Sequence, residues 1–202
     1  MAIASSARAR QVGDAAIAVL AGQGARGLTH RAVDQAAGLP PGTTSNYART
    51  RAALLTLALT RIGELETADG ESQLGRPDAL GGPGLADGLA DGLAAVLHRW
   101  VTDPGARQRV LARFELALEA TQRAELRATY NAMGHAIRVQ VAAVLAAAGS
   151  AHPERDAWTL IAWMEGTAFY ALAGAGGLAV PSLAELREQV TGLLAMMTGG
   201  AA

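Results

Sequence analysis

Residues 38–42 read Gly-Leu-Pro-Pro-Gly, and no regular element can run through them. A glycine ends a helix by taking a left-handed backbone, and two prolines lack N–H groups and clash with the turn before them. Helix-forming sequence lies close on both sides. Upstream, Thr29 is placed to cap a short helix that turns Ala32, Val33 and Ala36 inward. Downstream, Pro41 suits the first turn of a second short helix over Pro41–Tyr47. The pattern predicts two short helices joined by a tight turn, a shape that fits the second helix to the major groove of DNA.

The flanking sequence is helical as well. Half the residues are hydrophobic but only 4% are aromatic, and an Ala, Leu and Val excess favours helices over sheets. A first helix over about Ala7–Gln23 aligns Val12, Ala16, Val19 and Leu20 and ends at Gly22 or Gly24. A linker helix from Thr50 to about Glu66 aligns Leu54, Leu55, Ala58, Ile62 and Leu65. Gly70–Gly84 is rich in turn formers and is expected to be a mobile loop. Residues 84–95, GLADGLADGLAA, set Leu85, Leu89, Leu93 and Leu97 along a fifth helix reaching about Val101, with Gly84, Gly88 and Gly92 beside them. Each interior glycine costs about 1 kcal/mol relative to alanine, so this helix should be pliable.

Four boundaries order the rest. Asp103-Pro104 opens a helix with Val110, Leu111, Phe114, Ala117 and Leu118 inward. A long helix over about Ala124–Ala148 aligns Leu126, Tyr130, Met133, Ile137, Val141, Val144 and Leu145. Pro153 opens a helix whose stripe is Trp158, Ile161, Ala162, Glu165, Ala168, Phe169 and Leu172, with a second apolar face at Trp163, Gly166 and Tyr170. Ser182-x-x-Glu185 is a capping box for the last helix, which aligns Leu183, Leu186, Val190, Leu193, Leu194 and Met197. The expected fold is all-α with about nine helices.

Charge and composition narrow the function. The net charge of −1 hides a basic head: residues 1–62 carry seven arginines against Asp14 and Asp34, a net of +5, which suits a polyanionic partner. The absence of cysteine excludes disulfides and thiolate metal sites. His30, His98, His135 and His152 show no metal spacing and no nucleophile motif, and Gly81-Gly82-Pro83-Gly84 lacks the lysine of a phosphate loop. No enzyme activity, cofactor or metal is expected. The amino terminus lacks a signal-peptide pattern, and the longest uncharged stretch, Gly166–Ala184, is broken by Gly174, Gly176, Gly177 and Pro181. A cytoplasmic protein with no membrane partner is expected.

Gly27–Leu55 as a whole, GLTHRAVDQAAGLPPGTTSNYARTRAALL, resembles the signature of the TetR family of transcriptional regulators. The matching features are Gly27-Leu28-Thr29, Ala32-Val33, Ala37-Gly38-Leu39, Pro41-Gly42-Thr43, an aromatic residue at Tyr47, a basic one at Arg51, and Ala53-Leu54-Leu55. The resemblance covers roughly residues 8–60. Asp34 departs from it where a small apolar residue is usual, and is expected to loosen the two short helices. Ala48 stands where phenylalanine is common and removes core volume. The resemblance implies a helix-turn-helix DNA-binding domain over 1–48 and a ligand-sensing and dimerisation domain over 49–202 that begins with the linker helix 50–66. It implies a homodimeric repressor of palindromic operator DNA, released by a small-molecule effector. It also implies that Gly42, Thr43, Ser45, Asn46 and Tyr47 form the DNA-reading surface. Asn46 suits adenine, and Thr29, His30, Arg31, Arg49 and Arg51 would hold phosphates, together with backbone N–H groups at the start of either short helix.

The remainder supplies candidates for sensing and assembly. Glu165 interrupts an apolar stripe, and Glu115 and Glu119 stand four apart on a largely apolar helix. A buried carboxylate needs a partner, which for Glu165 is an arginine, a dimer contact or a cationic ligand. With Trp100, Phe114, Tyr130, Met133, Trp163 and Phe169 these carboxylates make a candidate pocket for an amphipathic or cationic effector. The apolar faces of the last two helices, Trp158, Ala162, Gly166, Leu186, Val190, Leu193, Leu194 and Met197, make a candidate dimer interface. The competing function is a helical dimeric ligand carrier or interaction module without sequence-specific DNA binding.

Overall fold

A computed structural model describes residues 7–74, 85–175 and 180–199. Among them the chain is all helix and turn. Its eight α-helices are α1 (Ala7–Gly27), α2 (His30–Ala36), α3 (Arg51–Leu74), α4 (Leu85–Thr102), α5 (Pro104–Thr121), α6 (Ala124–Ala147), α7 (Pro153–Leu172) and α8 (Leu183–Met197). The ninth expected helix, Pro41–Tyr47, is a single 3-10 turn at Thr44–Asn46. The expected loop from Gly70 begins later, because α3 continues to Leu74; the rest of that loop lies outside the described residues.

The caps are where the sequence puts them. Thr29 accepts the N–H of Ala32 at the start of α2, and Asp103 accepts that of Ala106 at the start of α5. Ser182 and Glu185 exchange both bonds of a capping box before α8. Helix α1 ends in two steps: Gly24 adopts a left-handed backbone (φ 67°), and one more turn follows to Gly27.

The chain divides into two compact units. The first joins the residues up to Glu66 with Gln108–Met133. Its core is built by Val12, Ala16, Val19 and Leu20 of α1, Val33 of α2 and Leu54, Leu55, Ala58 and Ile62 of α3. Ala112, Leu116 and Ala120 of α5 and Leu126 of α6 complete it. Arg113 is buried in this unit and pairs with Glu66 at 2.9 Å. The inner face of α5 is thus rotated from the expected one: Leu118 is 67% exposed, and Phe114 is only half-buried.

The second unit joins 67–107 with 134–202. Helix α8 packs chiefly on α4, burying Leu186, Val190 and Leu194 against the face of α4 that carries Leu89, Leu93 and Leu97. The Gly-Leu-Ala-Asp repeat forms a regular helix with Gly92 buried and Gly88 facing solvent. Helix α7 turns Ala157, Leu160, Met164, Ala168 and Ala171 inward, so of the expected stripe Ala168 is buried, Ile161, Glu165 and Leu172 are half-buried, and Trp158, Ala162 and Phe169 face outward. The small alanines let helices approach closely and leave the bulky aromatics outside.

Candidate nucleic-acid interface

The turn between α2 and the 3-10 helix is held by a carboxylate. Gly38 ends α2 in a left-handed conformation (φ 63°), and the chain passes through Pro40 and Pro41 to Gly42, which is also left-handed (φ 89°). Asp34, on α2 and only 3% exposed, accepts three hydrogen bonds across this turn. Gly42 N–H donates to Oδ2 at 2.7 Å. Thr44 donates its N–H to Oδ1 at 2.7 Å and its hydroxyl to the same oxygen at 2.6 Å. Asp34 therefore does the opposite of loosening the motif. Burial pushes its pKa up, but the bonds from Thr44 and Gly42 and the nearness of His30 outweigh that, and the group ends below the usual carboxylate range.

Four further side chains fix the frame, and none of their bonds was legible in the motif. Gln11 of α1 donates to the Ala37 carbonyl at 2.9 Å. The His30 Nε2–H donates to the Ala48 carbonyl at 2.6 Å, so Ala48 is tied by its backbone in a buried site. The Arg51 guanidinium donates to the carbonyls of Leu28 and Ala25, each at 2.5 Å. From the other side, Glu115 of α5 accepts the N–H of that same Ala25 at 2.8 Å. Ala25 follows the kink at Gly24, so both of its backbone polar groups are secured where α1 leaves helical geometry.

These bonds revise two sets of expectations. Arg51 and His30 brace the motif from within. The N–H groups at the start of the 3-10 turn are also spent inside the protein, those of Gly42 and Thr44 on Asp34 and that of Thr43 on the Pro40 carbonyl. What remains outward is a narrower surface: Thr29, Arg31, Gly42, Ser45, Asn46 and Arg49 are exposed, and Thr43 and Tyr47 half-buried. Ser45 and Asn46 lie outside the turn, while Thr44 and Ala48 lie inside.

The candidate pocket residues are divided between the units. In the first, Glu115 holds Ala25, Glu119 pairs with Arg123 at 2.8 Å, and Tyr130 and Met133 pack against the core, so both carboxylates have partners within their own unit. Phe114 of this unit lies 5.7 Å from the Arg113 guanidinium, measured to the ring centroid. In the second, Trp163 lines an open groove of about 350 Å³ with Gly166, Thr167, Tyr170, Ala171 and Pro181. Phe169 is half exposed and Trp100 and Glu165 are half-buried. Of the candidate dimer residues, Leu186, Val190 and Leu194 are core of their own chain, because they meet α4. Leu193 and Met197 are half-buried; Trp158, Ala162 and Gly166 are exposed. No group of three or more histidines and carboxylates among the described residues could hold a metal ion, and no described helix is long and apolar enough to cross a membrane.

A family model described as "Tetracyclin repressor-like, C-terminal domain" matches residues 85–196, more than half of the chain. The chain belongs to the TetR family. Solved structures agree with the fold. A transcriptional regulator from Rhodococcus sp. Rha1 is 23% identical, with 96% of this chain and 97% of that one covered at a TM-score of 0.77. A TetR-family member from Streptomyces coelicolor A3 is 26% identical over 93% of this chain and 98% of its own, at a TM-score of 0.70. The multidrug binding protein EbrR, solved in complex with ethidium, is also 26% identical, covering 92% of this chain and 98% of that one at a TM-score of 0.66. No curated protein matches the chain. The family match covers residues 85–196 of this TetR-family chain, and the α2-turn segment lies before it.

Proposed function

We propose that this TetR-family protein is a ligand-responsive repressor that binds palindromic operator DNA as a homodimer. The observation that carries the proposal is the exposed pair Ser45 and Asn46 on a turn braced from Asp34, with Arg31 and Arg49 exposed on either side. Base edges are read by short polar side chains, and asparagine is suited to the N6 and N7 atoms of adenine. Arginines alongside supply the phosphate contacts that set register. Dimerisation would use the outward face of α7, where Trp158 and Phe169 are exposed on one side of the helix, since a two-fold protein matches a two-fold site. EbrR binds ethidium, a planar cation, which supports a search for effectors among aromatic cations; Trp163 and Tyr170 offer ring faces for such a ligand. The test is enrichment of random duplexes on the purified protein, followed by mobility shift. An inverted repeat whose complex is dissociated by an effector is expected; a bound pool without sequence preference favours the carrier or interaction module.

A further inference from the structure

The recognition turn is too short to hold itself. Three residues of 3-10 helix close too few bonds to offset the entropy of ordering them, and Thr43 makes no side-chain cap to the turn it precedes. The segment before it supplies two prolines without N–H groups. Gly42 is required by its backbone and not by crowding, since no atom lies within 4 Å of where a Cβ would stand. The turn's own bonds run from Thr43 to the Pro40 carbonyl, from Asn46 to that of Thr43 and from Tyr47 and Ala48 to that of Thr44; what ties its first residues to α2 is one carboxylate, using both of its oxygens. Oδ2 takes Gly42 and Oδ1 takes Thr44 twice, and a two-point grip sets orientation as well as distance.

We infer that Asp34 is a positioning residue for base recognition, holding Ser45 and Asn46 in the pose in which they meet base edges. This rests on the DNA-binding function proposed above. Base-edge bonds depend on pose, whereas contacts between arginine and phosphate are sequence-independent and tolerate displacement. Arg31 lies on α2 with Asp34 itself and Arg49 lies beyond Tyr47, so neither is on the turn that the carboxylate holds. Loss of Asp34 therefore separates two parts of binding: discrimination falls, and the salt-dependent affinity for any duplex stays.

The experiment compares affinity for the duplex enriched by the wild type with affinity for poly(dI-dC), across salt concentrations. The variants are Asp34→Asn, Asp34→Ala and the double variant Asp34→Ala/Thr44→Val. Asp34→Asn keeps one acceptor oxygen and turns an amide nitrogen toward donors. We expect Asp34→Asn and Asp34→Ala to lower the ratio of the two affinities by at least about tenfold, one good bidentate base contact, with an unchanged salt slope. The double variant removes the hydroxyl that Asp34→Ala leaves unbonded, so it should regain thermal stability. It should not regain the ratio, because the Gly42 and Thr44 N–H groups remain unheld. Recovery of the ratio together with stability would overturn the assignment. An unchanged ratio in Asp34→Asn, with a discriminating wild type, overturns it alone; a wild type without preference overturns the proposed function as well. If Asp34→Ala does not fold, Asp34→Asn carries the test through amide exchange, where unchanged protection at Gly42 and Thr44 overturns the assignment.

Discussion

At the scale of single residues, two arginines in one stretch do different work. Arg51 binds two main-chain carbonyls and Arg49 is exposed. Hydrogen bonds to a charged donor contribute about 1.5–3 kcal/mol each, so Arg51→Ala should lower stability by at least about 2 kcal/mol in denaturant unfolding. Arg49→Ala should leave stability unchanged and reduce the salt slope of DNA binding by about one. Acid should act through Asp34 and Asp156. The Asp156 pKa is lowered by the Ser150 hydroxyl, against burial, with help from Arg155, and that of Asp34 is lowered as described above. Carboxylates depressed in the folded state stabilise it above their unfolded pKa, about 4, and that contribution is lost as pH falls through the lower folded value. Thermal unfolding followed downward from about pH 6 should show a drop at the acid end that is shallower in Asp34→Asn. The motif was legible in sequence because glycine and proline act locally; the brace was not, because the hydroxyl and the carboxylate that meet are ten residues apart and Asp34 alone looks like a misfit.

At the scale of elements, helix starts were legible and helix phases less so. Caps at Thr29, Asp103 and Ser182 are local chemistry and stand as read. The inward faces of α5 and α7 depend on which neighbour each helix meets, and apolar residues on more than one face leave periodicity undecided; hence Leu118 and Phe169 lie outward. The glycines of α4 and α1 separate two causes. Gly88 is exposed in a helix interior with nothing near its absent Cβ, so Gly88→Ala should raise stability by about 0.5–1 kcal/mol. Gly13 on α1 sits under Arg61, whose Cβ and Cγ would lie 2.9 Å from an added Cβ. Gly13→Ala should therefore destabilise, and unfolding of both variants by urea checks the opposite signs.

For the whole molecule, the fold class was legible from composition and period, whereas the two units were not. They draw on segments far apart in sequence, and Gln108–Met133 joins the first unit although it lies beyond the linker helix. The outward face of α7 gives the assembly prediction. Trp158 is 64% exposed and Phe169, on the same side of the helix, 50%, and a large exposed apolar patch marks an interaction site. Trp158→Arg should yield monomers in sedimentation velocity while the helical circular dichroism is kept; a monomeric wild type at micromolar concentration would contradict the homodimer. The most direct measurement is an anisotropy titration of the enriched palindrome and of a scrambled duplex of equal length, at matched salt. Two chains should bind each palindrome, at least about a thousandfold more tightly than the scrambled duplex. Equal affinity for both duplexes at every salt concentration would contradict sequence-specific regulation.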